Sequence, residues 1–256
     1  SYFRQNMMQK DIYSMMPIEP NQLTLEQERE SMRQSVLSSV SHDLKTPLSC
    51  IIGALEIYNR TKDRLSVDQK DTLLATALSE AYRLDKFVTN ILDMAKLESR
   101  TVKVKNEPFQ IGELLEDCVS SCGSNFKSYD INLSSSTTTE PQFVISDPAL
   151  LARAICIILD NAVKHGIKNP VISISYKRVG TRAAITIRDN GQGINEAKFA
   201  HIFSKYERFS TKDHKEAGTG LGLPICSEIM QLLGGHVSAA NCADNSGAIF
   251  TLEFNA

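Results

Sequence analysis

Two side chains, one histidine and one aspartate, carry most of the chemistry open to this chain. His42 lies in the run Ser41-His42-Asp43-Leu44-Lys45-Thr46-Pro47. Around it Val36, Val40, Leu44, Leu48, Ile51, Leu55 and Tyr58 recur at intervals of three and four, a helical stripe that leaves His42 to one side, facing water. A neutral imidazole is a competent nucleophile near neutral pH. Pro47 sits inside the same helix, where a proline removes a hydrogen bond and is expected to kink the chain at a cost of about 3 kcal/mol. An exposed helical histidine beside an acid is ordinary; one placed a turn before so costly a residue is less so. Asp189 ends a run in which Ala183, Ile185 and Ile187 alternate onto one face, and it continues that face inward. A buried carboxylate requires a partner. It opens Asp189-Asn190-Gly191-Gln192-Gly193-Ile194, where Gly191 and Gly193 let the backbone approach a ligand closely. A second glycine-rich run, Gly218-Thr219-Gly220-Leu221-Gly222-Leu223-Pro224-Ile225, opens a helix whose free N–H groups can receive phosphate oxygens. Its spacing is neither that of a Walker loop nor that of a Rossmann fingerprint.

The elements that must position these residues fall into two halves. The apolar stripe predicts one long helix from about Leu23 to Arg60, then a polar break at Thr61-Lys62-Asp63-Arg64. Ser66 followed by Gln69 is a capping-box start for a second helix, in which Leu73, Ala77, Leu84, Val88, Ile91 and Ala95 form a stripe ending near Glu98. A short link between long helices implies an antiparallel hairpin. Two helices alone cannot bury stripes this wide, so a second copy is expected to complete a four-helix bundle. After Val102 short alternating runs predict strands over Val171 to Tyr176, Arg182 to Asp189, His236 to Ala240 and Ala248 to Phe254. Helices are predicted over 110–126, 147–165 and 222–233, the middle one capped by Asp147 with Pro148 in its first turn. Leu151, Ile155, Ile158 and Ala162 form its buried stripe, with Asn161 and Lys164 on another face. Ser134 to Glu140 reads as a loop. Strands mixed with amphipathic helices predict a two-layer α/β domain.

The 256 residues, 42% hydrophobic and 23% charged with a formal net charge of −2, have an ordinary globular composition. Near-neutral charge gives no reason to expect nucleic acid or a membrane surface as the main partner. No apolar run approaches the roughly 18 residues a membrane helix needs. Cysteines at 50, 118, 122, 156, 226 and 242 show no zinc spacing, which points to a reducing compartment without structural disulfides. The chain begins with Ser1, which reads as a fragment of something longer, with residues 1–22 an N-terminal segment or linker.

His42-Asp43-Leu44-Lys45-Thr46-Pro47-Leu48 resembles the H box of the sensor histidine kinases. Four further segments resemble that family's boxes in its order: Asp160-Asn161-Ala162-Val163-Lys164-His165 the N box, Asp189 to Ile194 the G1 box, Ile202-Phe203-Ser204-Lys205-Tyr206-Glu207-Arg208 the F box, and Gly218 to Ile225 the G2 box. The likeness covers about residues 30–254, and within the family it is nearest to the KdpD type. The resemblance implies a dimerising helical hairpin over 23–100, followed over 101–256 by a two-layer α/β sandwich ATP-binding domain of the histidine-kinase/GyrB/Hsp90 type. It implies that His42 is the phosphoacceptor, with Asp43 taking the proton of its other nitrogen. Asp43 and Thr46 make an Asp-x-x-Thr pattern linked to dephosphorylating the partner, with Thr46 positioning a water. Asn161 is implied to coordinate Mg²⁺, Lys164 to meet phosphate, Asp189 the adenine amino group, and Arg208 the γ-phosphate. His165, Gly191, Gly193, Ile194, Phe203, Gly218, Thr219, Gly220, Leu221, Gly222 and Leu223 complete the implied ATP site, with residues 195–217 as a lid.

One departure stands out: the N box usually carries a second asparagine one turn earlier, and here that position is Ile157, which cannot ligate a metal. The implied activity is ATP-dependent autophosphorylation of His42 and phosphotransfer to an aspartate of a response-regulator receiver domain, with phosphatase activity toward the same partner. The implied setting is a cytoplasmic portion of a membrane-anchored homodimer, hinged near Glu98 to Val102. A phosphatase-dominated sensor and a non-catalytic dimeric scaffold are the competing readings.

Overall fold

The computed structural model describes residues 20–99, 101–122, 130–135, 142–165, 171–199, 201–204, 220–243 and 247–255, and among these the side chains of all but 20–37, 39, 122 and 130–135. The two long helices are present as α1 (Pro20–Thr61) and α2 (Val67–Glu98). α1 continues through Pro47, whose ring is buried. The reversal between them is locally determined: Ser66 Oγ accepts from the Gln69 N–H at 3.2 Å and Gln69 Oε1 accepts from the Ser66 N–H at 3.0 Å. That reciprocal box satisfies two donors that a helix start leaves unpaired.

The second half contains β1 (Glu107–Gln110), α3 (Ile111–Cys122), β2 (Asp130–Ser135), β3 (Phe143–Ser146), α4 (Pro148–Lys164), β4 (Val171–Val179), β5 (Arg182–Asp189), α5 (Gly222–Leu232), β6 (His236–Asn241) and β7 (Ala248–Asn255). Five strands form one sheet in the order β2-β4-β5-β7-β6, antiparallel except for the parallel β2–β4 pair. β1 and β3 form a separate two-stranded ribbon. Register explains the layering. Ile174, Ile187 and Phe250 are cross-strand neighbours, as are Tyr176, Ile185 and Leu252, and all are buried against α4 and α5. The alternate positions Ser175, Thr186 and Thr251 face the other way and are only half-buried. The result is helices on one face of a sheet, the predicted two-layer sandwich.

Asp147 joins this domain's parts. Its Oδ1 caps α4 by accepting from the Leu150 N–H at 3.0 Å, while Oδ2 accepts from the Lys105 N–H at 2.8 Å and so ties down the segment leading out of the hairpin. The buried stripe of α4 contains Leu151, Ile155, Ile158 and Ala162 as expected, and is widened by Ala154, Ile157 and Leu159.

Three strands went unread in the sequence, β1, β2 and β3, each short. The predicted loop at Ser134 to Glu140 is corrected at its start, since Ser134 and Ser135 pair with Ser175 and Tyr176 as the end of β2; residues 136–140 lie outside the described ones. A polar stretch can be a strand when its ladder partner is already in place. The helix predicted over 110–126 is described as far as Cys122.

α2 also has a face that the stripe did not disclose. Phe87, Met94 and Leu97 are buried in the same apolar cluster as α4 and α5, with Val40, Leu44 and Ile91 packed alongside. Polar contacts flank it. Arg153 of α4 places Nε and Nη2 each 2.9 Å from Asp93 Oδ2, and Nη2 also donates to Asn90 Oδ1 at 2.8 Å. Lys86 pairs with the carboxylate of Asp160. The α/β domain is therefore docked on α2.

Burial shifts titration in the core, raising the Tyr176 phenol and, by a larger amount, one thiol. It pushes the Cys226 thiol from 9.0 up to about 12. The folded chain thus holds this proton more tightly than the unfolded one. The associated stability is complete below pH 9.0 and declines as pH rises toward about 12. Urea midpoints are expected to fall across that interval, and a Cys226→Ala chain is expected to show a shallower fall. Equal slopes would remove Cys226 as a cause.

Candidate phosphoacceptor and nucleotide site

His42 is where an acceptor must be. Its side chain is 66% exposed on α1, and Nδ1 lies 3.3 Å from Asp43 Oδ1. Adjacent helical residues do not normally face one another, and this pair meets because the short aspartate reaches across to the ring. An Nδ1–H held by a carboxylate defines the tautomer whose lone pair is on Nε2. Thr46 Oγ1 donates to the His42 carbonyl at 3.1 Å. Thr46 is thus close to His42 in space but engaged with backbone.

At the end of β5, Asp189 is only 5% exposed and turned inward, as the alternation required. Its Oδ1 accepts the Gly191 N–H at 2.8 Å and the Ala248 N–H at 3.2 Å. Oδ2 has no donor among the described residues. One carboxylate oxygen is therefore partnered by the protein's own backbone. Gly191 has to be glycine: a Cβ would stand 2.7 Å from the His165 carbonyl oxygen and 2.9 Å from Asp189 Oδ1. That contact brings the end of α4 against the loop after β5. His165 takes part through its main chain, while its side chain is exposed. Asn161 is half-buried on the last turn of α4, and Lys164 is exposed one turn on.

α5 begins at Gly222, preceded by Gly220 at φ 66° and Leu221, and no side chain caps it. An uncapped helix start presents backbone N–H groups and the positive end of the helix dipole, which suits anions. Gly222 and Leu223 are half-buried there, and Leu221 is buried. Ile157 packs directly beneath this helix start, its Cγ2 lying 3.3 Å from where a Cβ on Gly222 would be. The residue that replaces the expected asparagine is 6% exposed and seats the start of α5 on α4. Phe203, Ile202 and Ile194 pack at the edge of the core. Arg208, Gly218 and Thr219, with most of the expected lid, lie outside the described residues. Among the described residues no group of three or more His, Cys, Asp or Glu is placed to hold a metal ion. No helix there is long and apolar enough to cross a membrane.

The structure sets the His165 main chain, Asp189 and Gly191 against one another, Gly193 against Asn241 and Gly247, and Ile157 of α4 beneath the start of α5. His42, Asp43 and Thr46 are gathered separately on α1. Sequence reasoning missed Ala248, Gly247 and Asn241, which back the loop after Asp189 from β6 and β7. Only the glycine at 247 signalled them, as a turn residue before a strand.

Residues 32–100 match the His Kinase A (phospho-acceptor) domain, and residues 146–256 match the histidine kinase-, DNA gyrase B- and HSP90-like ATPase domain. The chain is 31% identical over 233 residues to the sensor protein KdpD of Clostridium acetobutylicum, and 32% identical over 231 residues to that of Escherichia coli K12. Each alignment covers 90% of this chain and 25% of the relative, so the chain spans about a quarter of the length of these proteins. Among solved structures, the histidine kinase ThkA in complex with the response regulator TrrA superimposes with a TM-score of 0.66 at 20% identity, covering 90% of this chain and 63% of that one. The Acinetobacter baumannii histidine kinase AdeS gives 0.62 at 20% identity, over 84% and 97%. These two share the fold. With a phosphoacceptor hairpin and a following ATPase domain both matched, in that order on one chain, the protein belongs to the sensor histidine kinase family.

Proposed function

We propose that this chain moves the γ-phosphoryl group of ATP to Nε2 of its own His42 and then to an aspartate of a receiver domain. The observation that carries this is the half-satisfied carboxylate of Asp189, 5% exposed with Oδ2 undonated. An exocyclic amino group is the donor that fits it, and Gly191 keeps the approach clear. Phosphates then run toward the uncapped start of α5, with Lys164 and Arg208 neutralising their charge. Asn161 offers an amide oxygen that would hold Mg²⁺, and the ion would supply positive charge to neutralise the phosphates.

In the transfer, the Nε2–P bond forms as the bond to the β–γ bridging oxygen breaks. ADP leaves with that electron pair, and the Nδ1 proton passes to Asp43. Positioning and charge stabilisation are the main catalytic contributions in such reactions. The functional units are taken to be the hairpin of residues 23–100 and the ATP-binding domain of 101–256. Leu48, Ile52, Leu55, Leu74, Leu78 and Leu92 are each at least 44% exposed on the hairpin, an apolar surface suited to a second copy in a four-helix bundle. The receiver docks on that bundle, as the solved complex of a kinase sharing this fold makes reasonable. Dephosphorylation of the receiver requires Thr46 to turn from the His42 carbonyl toward a water. ATP and receiver domains are supplied in the cytoplasm.

Incubation with γ-labelled ATP should give acid-labile, alkali-stable label on the chain, transferable to a receiver domain. Absence of label overturns the reading. Reaching His42 requires the α/β domain to swing from its docked position about residues 98–102. The Arg153–Asp93–Asn90 contact resists this. Being partly exposed, it is worth about 1 kcal/mol, so Arg153→Ala should speed autophosphorylation about fivefold in a labelling time course. An unchanged rate would mean that release of this contact is not part of the cycle.

A further inference from the structure

Asn241, outside the five boxes read from the sequence, holds the loop after Asp189 from behind. It is the last residue of the edge strand β6. Its Oδ1 accepts the Ile194 N–H at 2.7 Å, and its Nδ2 donates to the Ile194 carbonyl at 2.8 Å. One side chain thus satisfies both polar groups of a residue that belongs to no strand, much as a neighbouring strand would. The contact is close. A Cβ on Gly193, at φ +72°, would stand 2.8 Å from Asn241 Oδ1 and 3.4 Å from the Gly247 carbonyl oxygen.

The turn after Asn241 extends the same support. Cys242 N–H donates to the Gly247 carbonyl at 3.0 Å. Gly247, at φ +102°, lies so tightly on Asp189 that a Cβ would stand 1.9 Å from the Asp189 carbonyl oxygen. The next residue, Ala248, donates to Asp189 Oδ1. Asn241, Gly247 and Ala248 therefore set both the carboxylate and the loop of Gly191 to Ile194. Immediately after Ile194, Asn195 caps a short 3₁₀ turn at Glu196–Lys198, where the polar stretch toward the lid begins.

We infer that Asn241 is a positioning residue of the nucleotide site, clamping Ile194 so that the Asp189–Ile194 loop is shaped for the base before ATP arrives. The inference rests on the nucleotide reading of that loop. A primary amide suits this role because it offers a donor and an acceptor together. Aspartate supplies only acceptors and repels the Ile194 carbonyl. Leucine leaves both Ile194 groups unpaired. Pre-organisation of this kind acts on binding more than on the saturated rate.

The test uses the full chain and steady-state autophosphorylation, with ATP and ADP affinities measured by calorimetry. Asn241→Asp should raise KM for ATP about tenfold, weaken ADP in step, and leave the rate at saturating ATP within about twofold. Asn241→Gln, with the same amide on a longer stem, should recover part of the affinity. Val237→Ala, on the same strand and packed on the core, loosens β6 without touching Ile194 and should leave KM unchanged. An unaltered KM in Asn241→Asp overturns the inference. So does a fall in saturated rate at constant KM, or an equal KM rise in Val237→Ala, either of which marks a merely structural role. If Asn241→Asp fails to fold, Asn241→Ala, which removes both amide partners of Ile194, decides in its place, and wild-type KM in that variant overturns the clamp. Failure of the parent chain to bind ATP would instead defeat the nucleotide reading itself.

Discussion

A His42→Gln chain takes up no acid-labile phosphate from γ-labelled ATP, yet binds ATP with an affinity within about twofold of the parent. The expectation follows from where the two functions are housed. His42 is 66% exposed on α1, while the elements proposed to hold nucleotide are α4, the loop after β5 and the start of α5. Glutamine keeps a polar side chain at an exposed helical position, so the fold has little reason to respond. It lacks a basic nitrogen, and no neighbouring group can take over as nucleophile without changing the chemistry of the product. The loss should be complete in kinetics and absent in calorimetry. Acid-labile label persisting in this chain would move the acceptor elsewhere, and loss of ATP binding would mean that His42 is part of the nucleotide pocket.

Asp189→Asn is the complementary case: ATP affinity falls about a hundredfold while the melting temperature moves little. Asparagine can keep the acceptor that serves the Gly191 and Ala248 N–H groups, at 2.8 and 3.2 Å. What changes is the other end. Oδ2 becomes an amide that presents hydrogens where a base amino group also presents hydrogens. A charge-assisted hydrogen bond is worth about 1.5–3 kcal/mol, and its replacement by a donor–donor contact puts the loss at the upper end. Calorimetric titration with ATP beside a thermal melt separates the two outcomes. An affinity within threefold of the parent would remove Asp189 from base recognition. A large drop in melting temperature would make it a structural residue instead.

The parts of the fold that were legible have local causes. Ser66 and Gln69 close a helix start on themselves, so the hairpin could be placed from residues three apart. Asp147 and Pro148 do the same for α4. The inward turn of Asp189 followed from strict alternation along β5, where position alone decides which face a side chain takes. The likeness of five ordered boxes to one family did the rest for function. β1 and β3 resisted because four-residue strands carry too little pattern, and because Phe143 and Ile145 stand outward, 59% and 63% exposed, against the usual rule.

Residue order by itself determined the helical hairpin, the two-layer domain, the exposed imidazole and the inward acid, since helical and strand periodicities act within a few residues of their cause. Only the tertiary structure decided what covers each face and what stands behind each loop. It gave α2 a second buried side at Phe87, Met94 and Leu97, set Ile157 beneath Gly222, and brought Asn241 to Ile194 across 47 positions. Such contacts depend on where distant segments come to rest against one another, and periodicity carries no information about that.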